Sequence, residues 1–248
     1  MSGGRLPLHR KTIAHSRFTD KYFISKTPTH SSLPQYLTEI RLGNEKQRFR
    51  EIIGDVRDEF DLHSNNRPVP HLTLFGPYDT DQGYEVKQRT QGVLSKYSVV
   101  PFTVSGFDCF GETNVVYAAV DPSAELQSLR RDLAARLKPV TYNQQPWDLD
   151  HSHEFHITIA TNLGDQTTAV LEYVRGKYDL ERELHATRVP AVDRGRMLWE
   201  WDLPRGVELS PQGATSRDSW EQTMAELERL DEQAQSGLVN RIRRWISG

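Results

Sequence analysis

Several features that would define a protein class are scarce in this chain. It has one cysteine, Cys109, among 248 residues, which excludes an intramolecular disulfide framework and favours a reducing compartment. No apolar run approaches the roughly 18 residues of a membrane span. The basic N-terminus lacks the apolar segment of a secretory signal. We therefore expect a cytoplasmic protein that does not bind membranes.

The chain also has little excess charge of either sign. The formal net charge is −3, which is too small for general attraction to nucleic acid. The Gly-x-x-x-x-Gly-Lys-Ser/Thr loop that cradles nucleotide triphosphates is absent. The charge is unevenly placed, because residues 1–20 are basic and residues 218–232 are acidic. The first segment is predicted to be a flexible arm.

Hydrophobic periodicity predicts alternating helices and strands. In residues 45–60 the apolar positions follow the spacing of an amphipathic helix, whereas residues 26–44 look like loop. Residues 69–75 look like a strand that Gly76-Pro77 ends. Further helices are predicted at 84–97, 123–137 and 166–178, and further strands at 22–24, 102–107, 115–120, 155–160, 184–192 and 197–203.

The order of these elements repeats. Each half contains a strand, a helix, a second strand, a helix and a further strand, which predicts a duplicated α+β unit with two lobes facing one cleft. The predicted body spans residues 21–205, with lobes of roughly 21–110 and 111–205 between which segments can be swapped. Residues 206–248 carry two apolar helical stripes and are predicted to form a helical hairpin packed on the body.

A His-x-Thr motif occurs once in each half, as His71-Leu72-Thr73 and His156-Ile157-Thr158. On a strand, residues two apart share a face, so each histidine lies beside its threonine with hydrophobic residues behind. If the halves are related by a pseudo-twofold axis, two imidazoles flank one space. One neutral and one protonated imidazole can serve as base and acid at a phosphorus, and the hydroxyls can donate to its non-bridging oxygens.

The doubled motif resembles that of the 2H phosphoesterase superfamily, which includes 2′-5′ RNA ligase-like proteins and RNA 2′,3′-cyclic phosphodiesterases. The resemblance rests on residues 69–74 and 155–159, and on the run that begins at Val115. It implies the two-lobed 2H phosphoesterase-like α+β fold with a C-terminal helical extension. It also implies catalysis by His71 and His156 and phosphate binding by Thr73 and Thr158, without a metal or other cofactor.

Three other residues are candidates for contact with the substrate. Phe75 lies on the predicted strand face of His71 and Thr73, where it would either stack on a nucleobase or close the core under the cleft. His153 lies on the approach to the second motif. Arg67, just before the first motif, would meet a phosphate or remain solvated.

The predicted activity is opening of a 2′,3′-cyclic phosphate, at an RNA end or on a small nucleotide, by a monomeric enzyme. The alternatives on the same site are a 2′-5′ RNA ligase, an ADP-ribose cyclic phosphate hydrolase and a non-catalytic nucleotide-binding module. A metal-dependent hydrolase that uses His151, His153 and His156 is a further alternative. The sequence leaves open which histidine is the acid.

Overall fold

The computed structural model describes residues 35–62, 68–149 and 153–246, with side chains described as far as residue 234. The predicted arm and the strand predicted at 22–24 therefore lie outside the described residues. The elements in chain order are β1 Gln35–Ile40, α1 Glu45–Glu59, β2 Leu72–Asp79, α2 Gly83–Leu94, β3 Val100–Phe110, β4 Val115–Pro122, α3 Ala124–Leu137, α4 Pro146–Leu149, β5 His156–Ala160, α5 Thr167–Lys177, β6 Glu181–Ala186, β7 Arg188–Asp193, β8 Arg196–Asp202, β9 Val207–Leu209, α6 Pro211–Thr215 and α7 Arg217–Ile246.

The strands form two antiparallel sheets. Sheet 1 has five strands in the order β2-β1-β7-β8-β9, and sheet 2 has four in the order β5-β4-β3-β6. The strand–helix–strand–helix unit β1-α1-β2-α2 is matched by β4-α3-β5-α5, and in both units the second strand is an edge strand of its sheet. This duplicated α+β architecture, with its C-terminal helical extension, confirms the predicted fold class.

The helices bury the apolar faces that the sequence predicted. Helix α1 buries Phe49, Ile52, Ile53 and Val56. Helix α3 begins at the N-cap Ser123, whose side chain accepts a hydrogen bond from the Leu126 backbone N–H, and its leucine stripe is buried. Helix α1 packs against α5 and β5, and α2 packs against α3. No helix within the described ranges is both long and apolar enough to cross a membrane.

The strand before α1 is not where the sequence predicted it. Residues 26–44 were expected to form a loop, but β1 occupies Gln35–Ile40 and pairs with both β2 and β7. The turn-forming residues that precede this strand concealed it, although the run from Tyr36 to Ile40 contains the aromatic and β-branched residues that suit strands.

Two predicted strand boundaries were also wrong. Strand β2 continues through Gly76-Pro77 to Asp79. A proline is tolerated here because β2 is an edge strand, and on the side without a neighbouring strand no backbone N–H is needed for pairing. The single strand predicted at 184–192 is two strands, β6 in sheet 2 and β7 in sheet 1. Sheet 1 therefore takes β7 and β8 from the second half and β9 from the segment after it, and sheet 2 takes β3 from the first half, so the sheets are not the two sequence halves.

The C-terminal segment differs from the expected hairpin. After the short α6, the single helix α7 runs continuously from Arg217 to Ile246. Near its beginning, Thr223 and Ser219 accept hydrogen bonds from the Arg188 guanidinium, and the Trp220 ring lies 5.6 Å from that group. The start of α7 is therefore attached to sheet 1. The domain boundaries at 20/21 and 205/206 remain predictions.

Arg188 is the centre of a buried charge network. The side chains of Arg188, Glu200 and Asp202 are all 0% exposed, with Arg188 2.8 Å from Glu200 and 3.4 Å from Asp202. Arg41 also pairs with Glu200, at 3.1 Å, and Thr223 donates to Asp202 at 2.7 Å. Glu200 and Asp202 alternate with Trp199 and Trp201 along β8, which is the pattern of a half-buried strand, but α6 and α7 bond to this part of the sheet and bury both carboxylates.

We expect Arg188→Met to lower the free energy of unfolding by about 3–5 kcal/mol, because it removes the fully buried guanidinium that Glu200 and Asp202 share. Urea unfolding followed by circular dichroism measures this. The matched control is Arg205→Met, which removes a partly exposed partner of Asp202 and should cost about 1 kcal/mol or less. Equal losses in the two variants would contradict the assigned role of Arg188.

Candidate active site

The two His-x-Thr motifs lie on the edge strands of different sheets, and these two strands are in contact. His71 immediately precedes β2 and His156 begins β5, and β2 and β5 approach each other. The predicted alternation holds at both places. Leu72 and Ile157 are fully buried, whereas the histidine and threonine of each motif are partly exposed.

The two imidazoles are held in the same way. Nδ1 of His71 lies 2.6 Å from the backbone oxygen of Val69, and Nδ1 of His156 lies 2.9 Å from that of Glu154. A carbonyl can only accept, so Nδ1 is the donor in both rings. In a neutral ring this arrangement leaves Nε2 without a proton. In each histidine Nε2 is therefore the nitrogen that can exchange a proton with a substrate.

His156 lies among aromatic rings. The centroids of Phe110 and Tyr117 are 5.0 Å and 5.4 Å from that of His156, both in edge-to-face arrangements. Burial lowers the pKa of His156 below its usual value of 6.5, and the nearby His71 lowers it further. Both effects favour a neutral His156 at neutral pH.

His71 lies beside a carboxylate. Its Nδ1 is 3.8 Å from Oε2 of Glu39, whose side chain is only 14% exposed. Glu39 is on β1, directly opposite Thr73 on β2. Burial raises the pKa of Glu39, while His71, Lys46 and Arg41 oppose that rise. Glu39 was not singled out from the sequence because β1 was taken for loop.

The threonine hydroxyls of both motifs are available to a ligand. Thr73 and Thr158 are partly exposed, and within the part of the chain that the structure describes neither hydroxyl is hydrogen-bonded. Thr158 lies opposite Tyr117 on β4, whose hydroxyl donates to Glu154 at 2.5 Å. Both threonines can therefore donate to oxygens held between the histidines.

Phe75 does not share the exposed face of His71 and Thr73. The pairing of Glu39 with Thr73 and of Thr38 with Phe75 leaves Leu74 as an extra residue, which is a β-bulge. The bulge reverses the alternation, so Phe75 is 0% exposed and its ring lies 5.1 Å from that of Tyr78. The prediction that Phe75 stacks on a nucleobase is therefore wrong, because it lies in the core.

The other two candidates have different outcomes. The His153 ring lies 6.5 Å from that of His156 and packs edge-on against Phe155. It also lines a cavity of about 240 Å³ together with Gln127, Arg130 and Arg131, and its role in substrate binding remains a prediction. Arg67 lies outside the described residues.

The metal alternative required three histidines. His151 lies outside the described residues, and His153 and His156 are near each other as described above. Among the residues that the structure does describe, no group of three or more His, Cys, Asp or Glu side chains could hold a metal ion. The chelator experiment below tests this alternative directly.

The fold and the motif positions define an α+β protein with two sheets, in which the edge strands β2 and β5 carry the two histidine motifs and contact each other. The sequence model of the 2′-5′ RNA ligase superfamily matches residues 39–196, which is more than half of the chain. The chain therefore belongs to this superfamily, and the predicted membership among the 2H phosphoesterases is confirmed. Among curated proteins, none has a sequence that matches this chain.

Solved structures match this chain at low similarity. Escherichia coli LigT in its apo form is 19% identical, with a TM-score of 0.44, and the match covers 70% of this chain and 99% of LigT. LigT complexed with 3′-AMP is 16% identical, with a TM-score of 0.43 and the same coverage. Kluyveromyces marxianus Usb1 is 12% identical, with a TM-score of 0.37, and the match covers 74% of this chain and 100% of Usb1.

We expect the His156 imidazole to titrate below 6.5 in the folded protein, because burial disfavours its charged form. His71→Ala should raise this pKa by removing a nearby positive charge. NMR titration of the histidine ring signals measures both values, and the urea-unfolded chain supplies the reference. A His156 that titrates at or above the value in the unfolded chain would contradict this electrostatic account.

Proposed function

We propose that this protein is a metal-independent phosphodiesterase that opens 2′,3′-cyclic phosphates by acid–base catalysis with His71 and His156. The observation that supports it most is the matched pair of imidazoles on adjoining edge strands. Each ring donates from Nδ1 to a carbonyl two residues earlier. Each therefore keeps Nε2 for a proton transfer to or from the substrate.

The chemistry of a cyclic phosphodiester suits such a pair. One imidazole takes a proton from water as the new P–O bond forms. The other gives a proton to the ribose oxygen as its bond to phosphorus breaks, so charge and protons balance. Negative charge increases on the non-bridging oxygens, and the hydroxyls of Thr73 and Thr158 are proposed to donate to them.

The substrate class is an RNA end or a small nucleotide that carries the cyclic phosphate, and the enzyme is proposed to act as a cytoplasmic monomer. The same two histidines could also form or cleave a 2′-5′ linkage, or open the cyclic phosphate of ADP-ribose. A binding module without turnover is the remaining alternative. Product analysis on a panel of 2′,3′-cyclic nucleotides, 2′-5′ oligonucleotides and ADP-ribose cyclic phosphate separates these functions and identifies the 2′- or 3′-phosphate product.

We expect His71→Ala and His156→Ala each to lower the rate of cyclic phosphate opening by about 10²–10⁴-fold, which is the usual contribution of one positioned acid or base. Turnover of 2′,3′-cyclic nucleotides, followed by chromatography, measures this loss. The matched control is His185→Ala, on the edge strand of sheet 2 farthest from β5. Full activity in either motif variant would refute the proposed mechanism.

A chelator distinguishes this mechanism from a metal-dependent one. Activity should survive extended dialysis against EDTA, because no step needs a Lewis acid. Loss of activity that is restored by a divalent metal would instead favour the alternative that uses His151, His153 and His156.

We expect Thr73→Val and Thr158→Val each to lower kcat by up to about 10²-fold, because each removes a hydroxyl that donates to the charged phosphoryl oxygens. Valine keeps the branched shape and suits a strand, so the fold should be retained. Steady-state kinetics measure the effect. Thr103→Val, on β3 of sheet 2, is the control, and an equal loss there would contradict a specific role for the motif threonines.

A further inference from the structure

The two lobes place different residues at one equivalent position. In sheet 1 the residue opposite the motif threonine Thr73 is Glu39. In sheet 2 the residue opposite the motif threonine Thr158 is Tyr117. Each belongs to the strand that pairs with its motif strand, and each lies beside its motif histidine. The scaffold is thus symmetric, while the group next to the imidazole is a carboxylate in one lobe and a phenol in the other.

The carboxylate faces the His71 ring at ion-pair distance. Oε2 of Glu39 is 3.8 Å from Nδ1 of His71, and both side chains are shielded, at 14% and 27% exposure. A carboxylate this close to a partly buried imidazole favours its protonated form. The sheet 1 side therefore holds a shielded carboxylate that can pair with a positively charged ring.

His156 has the opposite surroundings. Phe110 and Tyr117 pack edge-on against its ring, and the Tyr117 hydroxyl bonds to the Glu154 side chain rather than to the imidazole. Burial disfavours the charged form of His156, and the attraction of Glu154 offsets this only in part. This environment favours a neutral ring, which can accept a proton.

We propose that Glu39 is a positioning residue that gives the two histidines different roles, with His71 as the general acid and His156 as the general base. This inference rests on the proposed phosphodiesterase function and adds a direction to it. His156 Nε2 takes a proton from the attacking water as its oxygen bonds to phosphorus. His71 Nε2 gives its proton to the leaving ribose oxygen, which therefore lies on the sheet 1 side.

Other charges also act on this pair. Lys46 of α1 and Arg41 after β1 lower the pKa of Glu39, while Glu200 of β8 and burial raise it. Arg41 is itself paired with Glu200. His71 in turn acts on His156 of β5, whose pKa it lowers. The expected pH effects below concern Glu39 alone, since the other groups are unchanged in the variants.

The pH dependence of kcat/KM in Glu39→Gln tests the assignment. An acid must stay protonated, so loss of the carboxylate should move the alkaline limb to lower pH by about one unit and leave the acid limb in place. A shift confined to the acid limb would make His71 the base and overturn the proposal, and so would an unchanged profile. Glu183→Gln, an exposed residue of β6, is the charge-matched control and should keep the wild-type profile.

A second experiment needs no change at Glu39. Replacing the leaving ribose oxygen of the cyclic phosphate by sulfur gives a thiolate, which departs without a proton. The activity lost in His71→Ala should then be restored by tenfold or more relative to the oxygen substrate, whereas the loss in His156→Ala should persist. The reverse pattern overturns the assignment, as does equal rescue or no rescue of both variants.

The two experiments separate the levels of the argument. If the wild-type protein opens no cyclic phosphate, the proposed function fails and the roles fail with it. Alternatively, the wild type opens the ring and requires both histidines, while the sulfur substrate restores the activity of His156→Ala instead of His71→Ala. In that case only the assignment of roles fails. Should Glu39→Gln prove unfolded by circular dichroism, the sulfur substrate still decides between the two assignments.

Discussion

The site depends on one geometric constraint, which is that side chains alternate between the two faces of a β-strand. Each motif uses this alternation to anchor a strand through Leu72 or Ile157 in the core and to present a histidine and a threonine on the opposite side. Strands β2 and β5 are edge strands that contact each other. The two motifs can therefore lie close together while each strand stays hydrogen-bonded within its own sheet. Any change that shifts the register by one residue would turn the imidazole into the core.

Features with a regular period were predictable from the sequence. The apolar stripes of α1 and α3 identified both helices, and the doubled motif identified both motif strands together with the repeated order of elements around them. The motif also located the four residues proposed for catalysis and phosphate binding. These predictions depend only on the spacing of nearby residues, which can be read from the sequence. Tertiary contacts did not override them.

The predictions failed where a residue far away in the sequence decides whether a side chain is buried or a strand is paired. The bulge at Leu74 is created by pairing with β1, and β1 was taken for loop, so the sequence could not decide whether Phe75 contacts a nucleobase or lies in the core. Glu200 and Asp202 alternate as solvent-facing residues should, yet Arg188 and α7 bury them. Glu39 had no visible role until its strand was recognised. In each case the deciding residue is far away in the chain, beyond any local pattern.

A duplicated fold presents a chemical difficulty for the proposed mechanism. The two lobes differ at the position opposite the motif threonine, and this difference addresses it. Two identical lobes would hold two equivalent imidazoles, but in-line displacement needs one proton acceptor and one proton donor at the same moment. Both rings share the bond from Nδ1 to a carbonyl, so that bond cannot distinguish them. The distinction has to come from their neighbours, and the residues opposite the motif threonines differ in the required sense, a carboxylate beside His71 and aromatic rings around His156. The common bond orients both rings, while in the proposed mechanism the unequal neighbours give the reaction its direction.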